Sequence, residues 1–116
     1  MKAVVAGAGG SIGSACVREL AHSGWEVVGV DTGKQGTTHP VLVELERTVP
    51  GFRNLALDIR DQQGVCDLFE KERPNLIIHT AAQPSHDKTA TIPDEDFDTV
   101  GALNLLVAAG DWYFPA

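Results

Sequence analysis

Basic side chains are scarce in this sequence. The 9 Lys and Arg stand against 16 Asp and Glu, which gives a formal net charge of −7 and an isoelectric point near 4.8. No basic cluster offsets that excess, and an acidic chain repels phosphate backbones and anionic lipid. Neither nucleic acid nor a membrane surface is therefore expected as a partner. Long apolar runs are missing as well. None approaches the roughly 20 residues that a membrane-spanning helix needs. Glycines follow Lys2 where a secretory leader would carry its apolar centre. Cysteine is limited to Cys16 and Cys66, without Cys-x-x-Cys spacing, so buried reduced thiols in a cytoplasmic protein are expected rather than a disulfide. His22, His39, His79 and His86 show no paired ligand spacing, and no metal site is expected. Internal repeats and low-complexity segments are absent.

What is present suits one small soluble domain: 116 residues, 43% of them hydrophobic, with a mean hydropathy of −0.05. The stretch Met1–Gly24 organises the rest. Ala3–Ala6 is a short apolar run, long enough for one buried strand. Glycines follow at positions 7, 9, 10 and 13, then an amphipathic segment from Ile12 to Ser23, with Gly24 as a left-handed stop. Strand, glycine turn and helix make the first unit of a dinucleotide-binding βαβ fold. So tight a turn needs residues without Cβ, and a pyrophosphate reaches backbone N–H groups only where side chains are absent. The helix N-terminus then meets the negative charge with unpaired donors. Gly7, Gly9, Gly10, Ser11, Ile12 and Gly13 are thus candidate cofactor contacts. The bland alternative is a flexible turn.

Trp25–Val30 reads as a second strand ending at Asp31, about 20 residues past the turn, where an acid is expected to bind the adenosine ribose. A carboxylate there accepts from a 2′-hydroxyl and repels a 2′-phosphate, so NAD is favoured over NADP; nearby Lys34 softens the preference without reversing it. An acid that merely ends a strand is the alternative. Thr32–Pro40 is a loop, and Val41–Thr48 a short helix stopped by Pro50-Gly51. Arg53–Leu57 follows as a third strand. Asp61 is placed to cap a helix over Gln62–Arg73, whose Val65, Leu68 and Phe69 share one face. Gly64 weakens that helix by up to about 1 kcal/mol relative to alanine, and Pro74 ends it. Asn75–Thr80 is a fourth strand, apolar enough to be covered on both faces. The order β-α-β-(α)-β-α-β predicts an α/β fold: a truncated, Rossmann-like, doubly wound parallel sheet of about four strands in the order 3-2-1-4. The last helix falls within Thr91–Gly110, with Pro93, Asp94, Glu95 and Asp96 at its start. Phe97, Val100, Leu103, Leu105, Leu106, Val107 and Ala108 cover most of its circumference, so heavy burial is expected.

The standard dinucleotide fingerprint places glycines first, third and sixth, but position 12 is isoleucine. Gly7-x-x-Gly10-x-x-Gly13 instead resembles the extended short-chain dehydrogenase/reductase family, which includes the NAD-dependent sugar-nucleotide epimerases and dehydratases. A narrower resemblance, to the CDP-paratose 2-epimerases (also called CDP-tyvelose epimerases), rests on His79–Asp87, Leu57–Asp61, Pro50–Arg53 and Leu103–Leu106, and runs to about Ala109. It implies that Asp58 and Ile59 lie beside the adenine, the acid accepting from its amino group, although Asp58 could equally be a turn residue. It also implies that Ala81 and Ala82 pass close to the cofactor, while Gln83, Ser85 and His86 face a nucleotide sugar. A hydrolytic triad from Ser85, His86 and Asp87 is rejected, since consecutive residues cannot align in sequence on one another.

The chain departs from that family in two respects. Asp98 stands where an asparagine braces the active-site loop in family members, and Val107 where glutamate is frequent. Catalysis in the family rests on a tyrosine with a lysine four residues on, the lysine lowering the tyrosine pKa. The sole tyrosine here is Tyr113, and its partner position would fall past the last residue. No catalytic residue is therefore assigned. The chain is expected to be one NAD-binding domain, residues 1–116, of a larger enzyme whose substrate segment is absent. The alternatives are the cofactor-binding part of a related sugar-nucleotide dehydratase or reductase, a non-enzymatic dinucleotide-binding module, and an idle product of a shortened reading frame. The fourth strand would then form an apolar edge, with self-association as the expected consequence.

Overall fold

A computed structural model describes residues 1–32, 40–80 and 104–108. The order of elements is β1 (Lys2–Ala6), α1 (Ser11–His22), β2 (Glu26–Val30), α2 (Pro40–Thr48), β3 (Arg53–Leu55), α3 (Gln62–Glu72) and β4 (Leu76–His79). Residues 104–108 are helical. The four strands form one sheet in the order β3-β2-β1-β4, and each adjacent pair is parallel. This is the doubly wound, Rossmann-like arrangement that the sequence predicts.

Strand alternation builds two cores from one sheet. Val4, Ala6, Val28 and Val30 point to one face, where Val65, Leu68 and Phe69 of α3 cover them together with Ile59, Leu105 and Ala108. Val5 and Val27 point to the other, against Val17 of α1, Leu42 and Leu45 of α2, and Val49 and Phe52. Gly29 in β2 leaves room for that second packing: a Cβ there would stand 2.8 Å from the Phe52 ring. Growth of the sheet runs outward from β1 in both directions, to β2 and to β4. The carboxyl end of β1 is accordingly the topological switch point, the place where open α/β sheets bind ligands.

The two ends of the sheet differ. At the start of the strands, Lys2 lies 3.8 Å from Glu26 and 3.7 Å from Glu72, and Arg53 lies 3.9 Å from Glu26. Arg53 also grips both carboxylate oxygens of Glu72 through one nitrogen, Nη2. Burial of Glu72 works to raise its pKa. The hydrogen bond from Arg53 and the charges of Arg53, Lys2 and Lys71 prevail, holding the carboxyl below its ordinary value.

Several expectations need adjustment. β3 ends at Leu55 rather than Leu57, because the Leu57 N–H turns back onto the Leu55 carbonyl at 2.9 Å. β4 presents Ile77 to one core and Ile78 to the other, yet stays half-buried instead of fully covered. Leu105 and Ala108 are buried as expected, whereas Leu106 is 71% and Val107 41% exposed. Only one side of that segment meets the α3 core, so heavy burial all round does not occur. The remainder of the expected helix over Thr91–Gly110 lies outside the described residues. Cys16 and Cys66 are free but half-buried, each packed on a different core. Gly64 lies beneath Leu57 and Asp61, whose atoms would stand 2.5 Å and 2.7 Å from an added Cβ. The glycine therefore serves the packing of the helix start, and alanine would not improve it.

Candidate dinucleotide-binding site

β1 runs straight into the glycine turn. Gly7 takes φ +86°, a left-handed conformation that residues with a Cβ rarely adopt. Its N–H donates to the Val30 carbonyl at 2.8 Å, which ties the turn to the end of β2. Its carbonyl accepts from the Gly10 N–H at 3.0 Å. Gly13 closes the motif from the helix side. A Cβ on it would fall 2.0 Å from the Gly7 oxygen and 2.9 Å from the Thr80 hydroxyl. The third glycine of the Gly7-x-x-Gly10-x-x-Gly13 pattern is thus required by helix-to-strand contact, a constraint separate from any ligand.

α1 starts without a side-chain cap. Gly10 is its N-cap, in extended conformation, and the first turn holds no acidic residue. Ser11 and Gly10 are exposed, and Ile12 is 70% exposed despite its apolar side chain. Orphan N–H groups and the positive end of the helix dipole accordingly face outward above the switch point. α3 shows the opposite treatment: Asp61 accepts from the Gly64 N–H at 3.1 Å and caps its own helix.

Asp31 stands at the end of β2, as the ribose-binding reading requires. Its Oδ2 accepts from the Gly9 N–H at 3.0 Å, a contact the sequence did not suggest. The acid therefore also holds the glycine turn. Its main-chain carbonyl accepts from the Asn54 side chain at 3.3 Å.

Asp58 makes a turn of its own. Its Oδ1 accepts from the Arg60 N–H at 2.9 Å, and its two oxygens accept from the Arg60 guanidinium at 2.6–3.0 Å. The Arg60 side-chain hydrogen bond outweighs partial desolvation and holds the Asp58 carboxyl below its ordinary value. Ile59 is 2% exposed, within the α3-side core. Its side chain cannot lie against an adenine, and any ligand contact at this position runs through the main chain. Asn104, to which the sequence assigns no role of its own, is buried and donates to the Ile59 carbonyl at 2.9 Å. Asn104 thereby braces the loop between β3 and α3, a different loop from the active-site loop that the Asp98 position concerns. An amide amid an apolar helical face was the available signal. Lys34, Ala81, Ala82, Gln83, Ser85, His86, Asp98 and Tyr113 lie outside the described residues.

A glycine turn feeding an uncapped helix at the switch point of a 3-2-1-4 parallel sheet, with an acid closing β2, defines the class of dinucleotide-binding α/β domains. The donor set fits such a cofactor: the Gly7, Gly9 and Gly10 N–H groups are bonded within the protein, and those that open α1 are reached over glycines that carry no Cβ. Comparison narrows the class. Residues 3–112 match the NAD dependent epimerase/dehydratase family, and the chain belongs to it. A Sinorhizobium fredii protein named a probable dTDP-glucose 4,6-dehydratase is 34% identical over 97% of this chain and 33% of its own length. The Thermus thermophilus UDP-glucose 4-epimerase, solved in complex with NAD, is 33% identical with a TM-score of 0.76, over 97% of this chain and 34% of its own. The Stenotrophomonas UDP-glucose 4-epimerase, solved with NAD and formylated UDP-arabinopyranose, is 30% identical with a TM-score of 0.79, over 96% of this chain and 34% of its own. The chain spans about a third of the length of the relatives it matches. Among the described residues no helix is long and apolar enough to cross a membrane.

Proposed function

We propose that this chain binds NAD and forms the cofactor-binding part of a nucleotide-sugar epimerase or dehydratase. The observation that carries the proposal is the uncapped start of α1, set above the Gly7–Gly13 turn with Asp31 beside it. When bound, NAD supplies the hydride acceptor and donor for chemistry at a sugar carbon. The residues of this chain bind and orient it: the N–H groups that open α1 meet the pyrophosphate, Asp31 the adenosine ribose, and Asp58 with the Ile59 main chain the adenine. Ala81 and Ala82 continue that surface, and Gln83, Ser85 and His86 face the sugar nucleotide. No residue of this chain is assigned an acid/base role, so turnover requires a tyrosine–lysine pair from a longer protein or a second polypeptide.

The narrower reading, epimerisation of a CDP-linked sugar at C2, is supported by sequence phrases alone, chiefly Ala81–Asp87 with Leu57–Asp61, Pro50–Arg53 and Leu103–Leu106 beside it. The relatives named above carry dTDP- or UDP-glucose in their names. Nucleotide sugar, rather than one base or one sugar, is therefore the substrate class proposed. Localisation in the cytoplasm accords with a soluble enzyme of this kind. Self-association along the outer edge of β4, which among the described residues bonds only to β1, is a companion proposal. Sedimentation would show a dimer if it holds and a monomer if it does not.

The test of NAD binding is a thermal melt with and without excess cofactor. A ligand specific to the folded state adds about 2.7 kcal/mol at a hundredfold excess over its dissociation constant. NAD should raise the midpoint, and NADP should raise it less. Asp31→Asn suits the control better than alanine, because the amide oxygen can keep the Gly9 contact while the charge is lost. The expected outcome is a narrower gap between NAD and NADP. Equal shifts by both cofactors in the unaltered chain would reject the Asp31 assignment, and no shift by either would reject NAD binding.

A further inference from the structure

We infer that Thr80 is a positioning residue for the pyrophosphate-binding turn, acting from the end of β4 on the carbonyl side of Gly7. The inference rests on the NAD-binding reading for its consequence, though not for its geometry. Thr80 follows the last residue of β4, and its N–H donates to the Ala6 carbonyl at 2.8 Å, which extends the β1–β4 ladder by one bond. Its hydroxyl donates to the same Ala6 oxygen at 2.8 Å and lies 3.3 Å from the Gly7 oxygen. One proton serves both acceptors, the nearer more strongly. The Gly7 carbonyl so reached is the one that accepts from Gly10, and the one that forbids a Cβ on Gly13. Three elements thus meet at one peptide group: β1, the start of α1 and the end of β4. The tilt of that peptide sets where the turn N–H groups point, and Asp31 fixes the same turn from the opposite side through Gly9.

Threonine can be changed here without orphaning a backbone group. In Thr80→Val the Ala6 carbonyl keeps the residue 80 N–H, and the Gly7 carbonyl keeps the Gly10 N–H. Shape is nearly retained, and what is lost is the hydroxyl link between β4 and the turn. A single hydrogen bond of ordinary net strength corresponds to a factor of about 3 to 10 in an equilibrium constant.

The experiment compares the unaltered chain, Thr80→Val and Thr80→Ser by NMR, well below their melting temperatures. Two quantities are read: amide hydrogen exchange at Gly9 and Gly10, and dissociation constants for NAD and for adenosine. In Thr80→Val the Gly9 and Gly10 amides should exchange about 3 to 10 times faster while those of Val4 and Val28 do not change. NAD should bind about 3 to 10 times more weakly, adenosine should bind as before, and Thr80→Ser should restore both readings to within about twofold. Exchange at Gly9 and Gly10 unaltered by valine would overturn the inference whether or not NAD binds. Equal weakening of NAD and adenosine would also overturn it, because general loosening would then explain the result. Failure of the unaltered chain to bind NAD, with the exchange effect intact, would reject the proposed function and leave the positioning role standing.

Discussion

α1 and α3 meet the same problem in opposite ways. Each helix begins with N–H groups that lack an intrahelical acceptor, and each carries a glycine at its third position, Gly13 and Gly64. α3 satisfies itself: Asp61 caps the Gly64 N–H, and Leu57 lies over the glycine. α1 has glycine at the cap, no acid in its first turn and exposed residues around its start. Its Gly13 is hemmed in most closely by the Gly7 backbone, with the Thr80 hydroxyl beyond. One helix start is finished within the chain, and the other is held rigid with its donors turned outward. The difference separates a structural helix from a ligand-binding one more sharply than any glycine count.

Alanine at the two third-position glycines should widen that contrast. Gly13→Ala places a Cβ 2.0 Å from the Gly7 oxygen, and backbone cannot rotate away. The expected cost is about 3 kcal/mol or more, seen as a large fall in the melting midpoint and loss of NAD binding. Gly64→Ala meets the tips of Leu57 and Asp61, which can move, so its cost should be smaller and should leave NAD binding unchanged. Similar midpoints for the two variants would contradict the account.

The next effect is acid sensitivity, which involves one carboxyl at each end of the sheet. Asp58 and Glu72 both have lowered carboxyl pKa values in the fold. A lowered folded-state pKa contributes stability above the unfolded value, near 4, and that contribution is lost as pH falls through the folded value. Stability should therefore drop on acidification below about pH 4. Glu72→Gln should flatten that acid limb and cost about 1–2 kcal/mol at neutral pH, less than a fully buried pair because Arg53 is 42% exposed. An acid limb of unchanged slope would show that Glu72 does not carry it.

Smaller still is the cap itself. Asp61→Ala should cost about 1 kcal/mol by chemical denaturation, with NAD affinity unaffected. A fall in affinity would mean that the two helix starts are coupled.

The frame of this fold was legible because its signals were local. A β-branched run, a glycine cluster and amphipathic periodicity placed β1, α1, β2 and α3 within a residue or two, and Asp61 and Gly24 did the stopping and starting expected of them. Contacts between distant segments were not legible. Nothing near Asp31 in sequence announces that its carboxylate reaches Gly9, and nothing near Arg53 announces Glu72. Ile59 was paired with Asp58 as an adenine contact, yet its side chain belongs to the core and its carbonyl to Asn104. Leu106 and Val107 show a different limit: apolar residues on a helix predict burial, but only the side toward α3 finds a core.

The most direct measurement gives α1 the cap it lacks. Gly10 has φ −81°, and an added Cβ would come no nearer than 3.5 Å to the Gly7 oxygen, so a side chain fits there. In Gly10→Asp the new carboxylate can accept the first-turn N–H groups as Asp61 does in α3, and it places negative charge where a pyrophosphate would bind. Melting of this variant with and without NAD is predicted to show a midpoint equal to or slightly above that of the unaltered chain, and no shift on adding NAD. A shift as large as in the unaltered chain would contradict the claim that the open start of α1 is the cofactor site.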